Sequence, residues 1–191
     1  MSEVLTFNTE TNVVKADKID PLPVYTDDHF MLKQKMPLIT ERIPNPILNT
    51  LIQRLKMTMK LYAGLGLSAN QCGVQARVFV MYLNNDIITC INPEVVEVSP
   101  ELSRSKEGCL SFPGMFLTIP RNEWIIAEFT NEQGNRVQAR LDGMAARCYL
   151  HELDHMNGVK FTDHVGPVAI KLAKDKQAKL IKKALRNKKG K

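Results

Sequence analysis

Hydrophobic residues recur at helical spacing between residues 47 and 62, and this periodicity predicts the first helix of the chain. Asn45 and Pro46 precede the run and are residue types that begin helices, while Gly64 follows it and favours a stop. The apolar positions are Ile47, Leu48, Leu51, Ile52, Leu55, Met59 and Tyr62. The preceding residues 1–44 are mixed in character and include four prolines, so we expect an irregular, extended arm there.

Runs of β-forming residues follow this helix and predict antiparallel strands. Three short runs, RVFVMYL, DIITCI and EVVEV, occupy residues 77–83, 86–91 and 94–98. Two further runs, WIIAEF and RVQARL, flank the turn sequence NEQGN and predict a hairpin.

Two more helices are predicted after the strands. The second begins at Asp142 as its N-cap, continues to about Asn157 and stops at Gly158. The third opens at Gly166–Pro167. Strands that cluster before a central helix favour an α+β fold. We therefore expect antiparallel strands packed around the central helix, with an N-terminal helix before it and a basic C-terminal helix after it.

The length of 191 residues suits one domain with terminal extensions. We assign residues 1–166 to that domain and its N-terminal arm, and residues 167–191 to the C-terminal helix. No apolar run approaches the roughly 20 residues of a membrane-spanning helix, and the N-terminal residues lack the pattern of a secretory signal. We therefore expect a cytoplasmic protein without a membrane segment, whose four cysteines are reduced thiols.

Positive charge is concentrated at the C-terminal end. Residues 170–191 contain ten of the 26 lysines and arginines and one acid, so they carry +9, while the other 169 residues carry −3. Contact with a polyanion should therefore be sought in this segment. Helical spacing there predicts a helix that docks by one face and exposes a basic side. The docking stripe consists of Ile170, Ala173, Gln177, Leu180, Ile181, Ala184 and Leu185.

The sequence HELDH at residues 151–155 has the spacing of a metal site. Residues four apart lie on one helix face, about 5 to 6 Å apart at Cβ, so His151 and His155 can bind one ion. Glu152 is rotated away from that face and suits a general base for an activated water. Asp154 either orients groups around the site or is a surface acid. The alternative, two solvated histidines on a polar helix face, leaves the glutamate and the helix caps unexplained.

A catalytic ion needs a third protein ligand and one open position. Cys109 is the candidate, because it lies in EGCLSFPG, where glycines on both sides free the backbone. Cys148 lies on the same helix as His155, but seven residues away, a rise of roughly 10 Å, so it suits core packing. Cys72 and Cys90 have apolar or strand-like neighbours and also suit the core.

The glycine-rich stretch GLGLSANQCGV at residues 64–74 is a third signal. A strand lined by glycines lets another backbone approach closely, and the Gln71 amide can donate to a developing oxyanion. The stretch lacks the third glycine of a dinucleotide-binding loop. Taken alone, it is also typical of a turn that leads into the next strand.

GLGLSANQ, EGCLS and HELDH, in this order, closely resemble the three signature motifs of peptide deformylases. The resemblance implies an α+β metallohydrolase that removes the formyl group from the initiator methionine of new polypeptides. It implies that Cys109, His151 and His155 bind the metal, usually Fe(II), with Zn, Ni or Co able to substitute. It also implies roles for four more residues: Glu152 as acid and base, the Gln71 side chain and the Leu110 backbone N–H as oxyanion donors, and Gly66 as acceptor of the substrate backbone.

The methionine side chain of such a substrate needs an apolar slot. We expect Leu65, Met144 and Cys148 to line it, although Met144 also suits the core. Partly from the resemblance, we further expect Arg121 and Asp154 to form an ion pair that ties the Cys109 loop to the central helix.

Two other classes of protein use some of these features. A metalloprotease-like peptidase could use the same HELDH helix. An RNA-binding protein with a structural metal would explain the basic tail, but structural zinc has four protein ligands and only three are identified here. The resemblance favours formylmethionyl nascent peptides as partners, with a ribosome contact through the C-terminal helix.

Overall fold

The computed structural model describes residues 20–189, and within this part of the chain it has three α-helices and seven strands. The helices are α1 (Pro46–Leu61), α2 (Gly143–Met156) and α3 (Pro167–Lys189). The strands are β1 (Gly66–Ser68), β2 (Val78–Leu83), β3 (Asp86–Val98), β4 (Leu102–Gly108), β5 (Phe116–Asn122), β6 (Trp124–Thr130) and β7 (Arg136–Asp142). Short 3-10 helices occupy Phe30–Lys33, Ala69–Cys72 and Phe161–His164. This order confirms the predicted α+β class. Part of the predicted arm, residues 1–19, lies outside the described residues.

A five-stranded antiparallel sheet has the order β1-β2-β3-β6-β7. The predicted hairpin is its β6–β7 pair. The prediction of two separate strands at 86–91 and 94–98 was wrong, because β3 is one strand of 13 residues. Its register shifts between Ile91 and Glu94, where Asn92 adopts a φ of 49°. This irregularity, which includes Pro93, explains why the sequence divides into two runs.

The second sheet is the β4–β5 hairpin, which the sequence did not predict. Its first strand, LSRSKEG, contains few β-forming side chains, so its alternation of half-buried and exposed residues is difficult to detect. Cys109 follows directly after β4. The hairpin therefore places the proposed third metal ligand opposite the helix that carries the two histidines.

Three apolar clusters hold these elements together. In the first, α1 packs against β1 and β2 through Ile52, Leu55 and Met59. In the second, α2 packs against the five-stranded sheet. The third joins the β4–β5 hairpin to the start of α3 and to Phe161. As a result, α2 lies between the large sheet and the hairpin.

The ends of the predicted helices have different chemistry. The Asn45 side chain accepts hydrogen bonds from the N–H groups of Ile47 and Leu48, at 2.9 and 3.3 Å, so it caps α1 as predicted. Asp142 occupies the N-cap position of α2, but its side chain makes no capping bond and pairs with Arg140 at 3.1 Å instead.

Helix α3 docks over only part of its predicted stripe. Ala173 is buried, and Gln177 donates to the Pro113 carbonyl over 2.7 Å. Leu180 and Ile181 are 55% and 52% exposed, so the helix extends past the surface on which it docks. The side chains of Ala184 and Leu185 lie outside the described set. No helix between residues 20 and 189 is both long enough and apolar enough to cross a bilayer.

Candidate active site

Three potential metal ligands converge between α2 and the end of β4. His151 and His155 lie one turn apart on α2, with ring centroids separated by 5.1 Å. Cys109 Sγ lies 3.2 Å from His155 Nε2. The ligand atoms of all three residues lie within 4.8 Å of one another, a separation that one ion can bridge. The structure thus brings together the three residues that the sequence predicted as ligands.

His151 is held in orientation by Glu107, a residue for which the sequence gave no role. Glu107 Oε2 lies 3.0 Å from His151 Nδ1, and its side chain is only 4% exposed. With its proton on Nδ1, His151 donates to this carboxylate and leaves Nε2 available for an ion, as metal-binding histidines usually do. The only local signal for this role was an acid two positions before the candidate thiolate ligand.

Two arginines surround Glu107. Arg121 Nε donates to Glu107 Oε1 over 3.0 Å, and Arg147 Nη1 donates to the same oxygen over 2.7 Å. Burial alone would raise the pKa of Glu107, but hydrogen bonds with His151 and Arg121 outweigh it and lower the pKa to about 2. The carboxylate therefore stays ionised at neutral pH.

The predicted pair between Arg121 and Asp154 is confirmed. Arg121 Nη1 donates to Asp154 Oδ2 over 2.6 Å. The same carboxylate oxygen lies 2.7 Å from His164 Nε2. Asp154 thus connects the hairpin, α2 and the 3-10 helix at 161–164, and belongs to the framework of the site.

Glu152 is buried beside the three ligands. Its Oε2 has no hydrogen-bond partner among the described residues. Burial raises its pKa to about 7. A carboxyl group with this pKa can accept and return a proton near neutral pH.

Gly66 lies directly against this carboxyl group. A Cβ at position 66 would stand 2.5 Å from Glu152 Oε1 and 2.8 Å from Glu152 Cγ. Glycine is therefore required at this point of β1 for Glu152 to hold its position.

The Gln71 amide is fixed with its nitrogen toward the cysteine. Its Oε1 accepts from the backbone N–H of Ser68 at 3.1 Å and from the Ser68 hydroxyl at 2.9 Å. Its Nε2 consequently lies 3.3 Å from Cys109 Sγ and 3.1 Å from Ser111 Oγ. The neighbouring Asn70 side chain donates to the His155 carbonyl over 2.7 Å. These bonds tie the glycine-rich segment to both the cysteine loop and α2.

The side chains face a cleft of about 680 Å³. Predicted site residues on its wall are Leu65, Gly66, Gln71, Cys109, Leu110, Met144, Cys148, His151 and Glu152. Leu65 and Met144 are 56% and 58% exposed, which places them at the mouth and excludes the core position considered for Met144. Cys148 is half-buried in the wall.

The donor set suits a divalent metal ion. One thiolate and two imidazoles are typical ligands of zinc and of other first-row transition metals. Burial lowers the pKa of His155 well below its ordinary value, so its imidazole is neutral, as coordination requires. The unpartnered oxygen of Glu152 lies in the same buried space. These three side chains and the adjacent acid therefore fit a catalytic metal centre.

Comparison with known proteins assigns this geometry to a family. The family model for polypeptide deformylase matches residues 21–171. A peptide deformylase of Thermotoga maritima is 44% identical over 116 residues, which cover 61% of this chain and 71% of the relative.

Two solved structures are similar in fold. One, a peptide deformylase from Synechococcus elongatus in complex with actinonin, has a TM-score of 0.78 and 30% identity, covering 91% of this chain and 94% of its own. Another, from Acinetobacter baumannii with Met-Ala-Ser bound, has a TM-score of 0.72 and 28% identity, covering 76% of this chain and 98% of its own. Since the family model covers most of the sequence, this chain belongs to the polypeptide deformylase family.

Proposed function

We propose that this chain removes the N-formyl group from formylmethionine at the start of new polypeptides in the cytoplasm, releasing formate and a free amine. The observation that carries the proposal is the convergence of Cys109, His151 and His155 beside the buried acid Glu152. Family membership supports the same reaction.

Cys109, His151 and His155 would hold one divalent ion, which supplies Lewis acidity for the activation of water. We propose Fe(II) as the working metal, with Zn, Ni or Co as substitutes. Purification without oxygen, followed by metal analysis and a formate assay, tests this choice. Because Fe(II) oxidises, activity should fall in air, and loading with Ni or Co in place of iron should restore it durably. Equal activity with and without air would favour zinc.

Glu152 would move the proton. It accepts a proton from the attacking water and returns it to the amine that leaves when the C–N bond breaks. Burial supports this role, because it raises the pKa of the carboxyl group to about 7.

Gln71 and Leu110 would stabilise the negative charge that develops on the formyl oxygen. The Gln71 Nε2 and the Leu110 backbone N–H are the two donors, and both residues line the cleft. Bonds from Ser68 fix the Gln71 amide in advance, so little reorganisation is needed during the reaction.

The substrate would enter along β1 and the end of β4. Gly66 would accept the peptide backbone, while Leu65, Met144 and Cys148 would contact the methionine side chain at the mouth and wall of the cleft. The relative from A. baumannii binds Met-Ala-Ser, a tripeptide that begins with methionine, which supports this placement.

A direct test uses formyl-Met-Ala-Ser and acetyl-Met-Ala-Ser as matched substrates. We expect formate from the first, no acetate from the second, and intact internal peptide bonds in both. Cleavage of an internal bond without release of formate would favour a peptidase and overturn the proposal.

The choice of cysteine is tested by metal binding. Cys109→Ser should bind metal weakly, whereas Cys148→Ser is the matched control and should retain metal. The reverse result would show that the wrong thiolate was chosen.

We also propose that α3 contacts the ribosome. Leu180 and Ile181 are exposed beyond the docked part of the helix, and Lys176, Lys179 and Lys182 are exposed nearby. Several phosphate contacts would make such binding decrease steeply with salt.

Because Ala173 is buried, charge reversal is a cleaner test than removal of the helix. Changing the three lysines to glutamate should abolish cosedimentation with ribosomes and preserve cleavage of short peptides. Absence of cosedimentation by the unaltered chain at low salt would refute the contact.

A further inference from the structure

We propose that Arg147 is a positioning residue for the metal centre, acting through Glu107 on the orientation of His151. This inference rests on the proposed metal site. None of the described hydrogen bonds of Arg147 reaches a side chain of the three ligands. Its partner is the carboxylate to which His151 is bonded.

Arg147 connects three elements at one buried point. It lies on α2, four residues before His151, and its side chain is 5% exposed. Its Nη1 donates to Glu107 Oε1 over 2.7 Å and to the Ile119 carbonyl over 2.9 Å. Its Nη2 donates to the Ser103 carbonyl over 2.9 Å and to the Ser103 hydroxyl over 3.0 Å. The guanidinium thus joins α2 to β4 and β5 through four bonds of fixed geometry.

Arg147 is the second arginine beside Glu107, and the first is shared with another acid. Arg121 is shared between two carboxylates, because it bonds to Asp154 as well as to Glu107. Arg121 alone would therefore leave one excess negative charge in a region where Glu107 is almost completely buried. Arg147, at 2.7 Å from Glu107 Oε1, supplies the second positive charge beside these two carboxylates.

The geometry of Glu107 also depends on Arg147. Glu107 Oε1 accepts from both arginines, while Glu107 Oε2 accepts from Arg121 and faces His151. Without Arg147, the carboxylate could rotate about Arg121, and the partner of His151 Nδ1 would move. Because the bond at Nδ1 fixes the direction of Nε2, the imidazole would no longer be aligned with Cys109 and His155.

Arg77 provides a matched control. It is also a buried arginine, at 7% exposure, and it bonds to the carbonyls of Met156 and Pro93 and to the Asn157 side chain. Its described partners include no carboxylate and no metal ligand. A purely structural role for Arg147 predicts that Arg147→Met and Arg77→Met behave alike.

The experiment measures metal affinity without substrate, by competition between the full-length protein and a chelator for Zn or Co. We expect Arg147→Met to lower the affinity about 10- to 100-fold, in the range typical of residues that orient metal ligands. We expect Arg77→Met to lower the melting temperature and preserve the affinity. The thiolate absorption of the Co-loaded protein should change only in the Arg147 variant. Unchanged affinity in Arg147→Met, or equal losses in the two variants, would overturn the proposal.

A second set of variants covers the case in which Arg147→Met does not fold. Arg147→Lys keeps the positive charge and loses the forked geometry, so its affinity should be intermediate. Glu107→Gln should weaken binding by itself, and adding Arg147→Lys to it should cause no further loss. Additive losses would contradict an action through Glu107. Since no formyl substrate is used, a failure of the proposed reaction would appear separately, as metal binding without formate release.

Discussion

The two faces of α2 pack in different ways. One face meets the five-stranded sheet through apolar side chains, with Tyr149 edge-on to Phe79 at a centroid distance of 5.2 Å. The other face meets the β4–β5 hairpin through Arg147, His151 and Asp154, whose partners are Glu107 and Arg121. The apolar face gains stability from buried area, so the effect of a substitution there depends mainly on the change in side-chain volume. The polar face depends on individual pairs, so the loss of one partner leaves a buried charge.

The largest effect is expected for Glu152→Gln, beside the polar face. This change removes the group that would transfer the proton and keeps the three metal ligands. Formate release should fall by about 10²- to 10⁴-fold, because the amide cannot shuttle a proton. Metal content should remain near one ion per chain, since the ligands are intact. Formate assays and metal analysis on one preparation measure both. Full activity would show that the proton moves by another route.

The next effect is expected for Arg121→Ala on the polar face. It leaves Glu107 with one arginine and Asp154 with only His164 as a partner, and we expect a loss of about 3 kcal/mol in the free energy of unfolding. Chemical denaturation measures this loss, and metal affinity should decrease with it. A change of less than one degree in melting temperature would contradict the importance of the pair.

A smaller effect is expected for Ile125→Val, in the sheet that packs against the apolar face of α2. Ile125 is fully buried in the cluster under α2, and deletion of one methylene costs about 0.5 to 1.5 kcal/mol. Metal affinity and formate release should be unchanged, because no polar contact is lost. Loss of metal affinity in this variant would show that the two faces are not independent.

The smallest effect is expected for Asp142→Ala at the beginning of α2. Asp142 and Arg140 are more than half exposed, and the Asp142 side chain makes no capping bond. The loss of such a surface pair should change the unfolding free energy by less than about 1 kcal/mol. Thermal unfolding in low and high salt measures it. A larger, salt-independent loss would indicate a capping role that the structure does not contain.

The same contrast explains which parts of the fold were predictable. Helix α1 was predicted because an apolar face leaves a periodicity along a single segment, whereas α2 was predicted from the residue types at its two ends, Asp142 and Gly158. The β4–β5 hairpin was missed because one side of it packs through charged pairs, and its strand LSRSKEG carries little apolar alternation.

The site was predictable where its residues are close in sequence. His151, Glu152 and His155 share one helical turn, and Cys109 lies in a local glycine-rich pattern. Glu107 and Arg147 were missed because each gains its role from the other, across 40 residues, through the register of the hairpin against α2. That register is a tertiary property, and it leaves no periodic signal in the chain.

Gly66 restricts how this protein can be altered. Strand β1, which would receive the substrate, packs directly against the Glu152 carboxyl group. The backbone of Gly66 and this carboxyl are so close that a methyl group at position 66 would not fit between them. In the proposed reaction, substrate recognition and proton transfer would therefore share one position in the chain. Any attempt to reshape the cleft by evolution or engineering must leave this position unchanged and act through neighbours at the mouth, such as Leu65 and Met144.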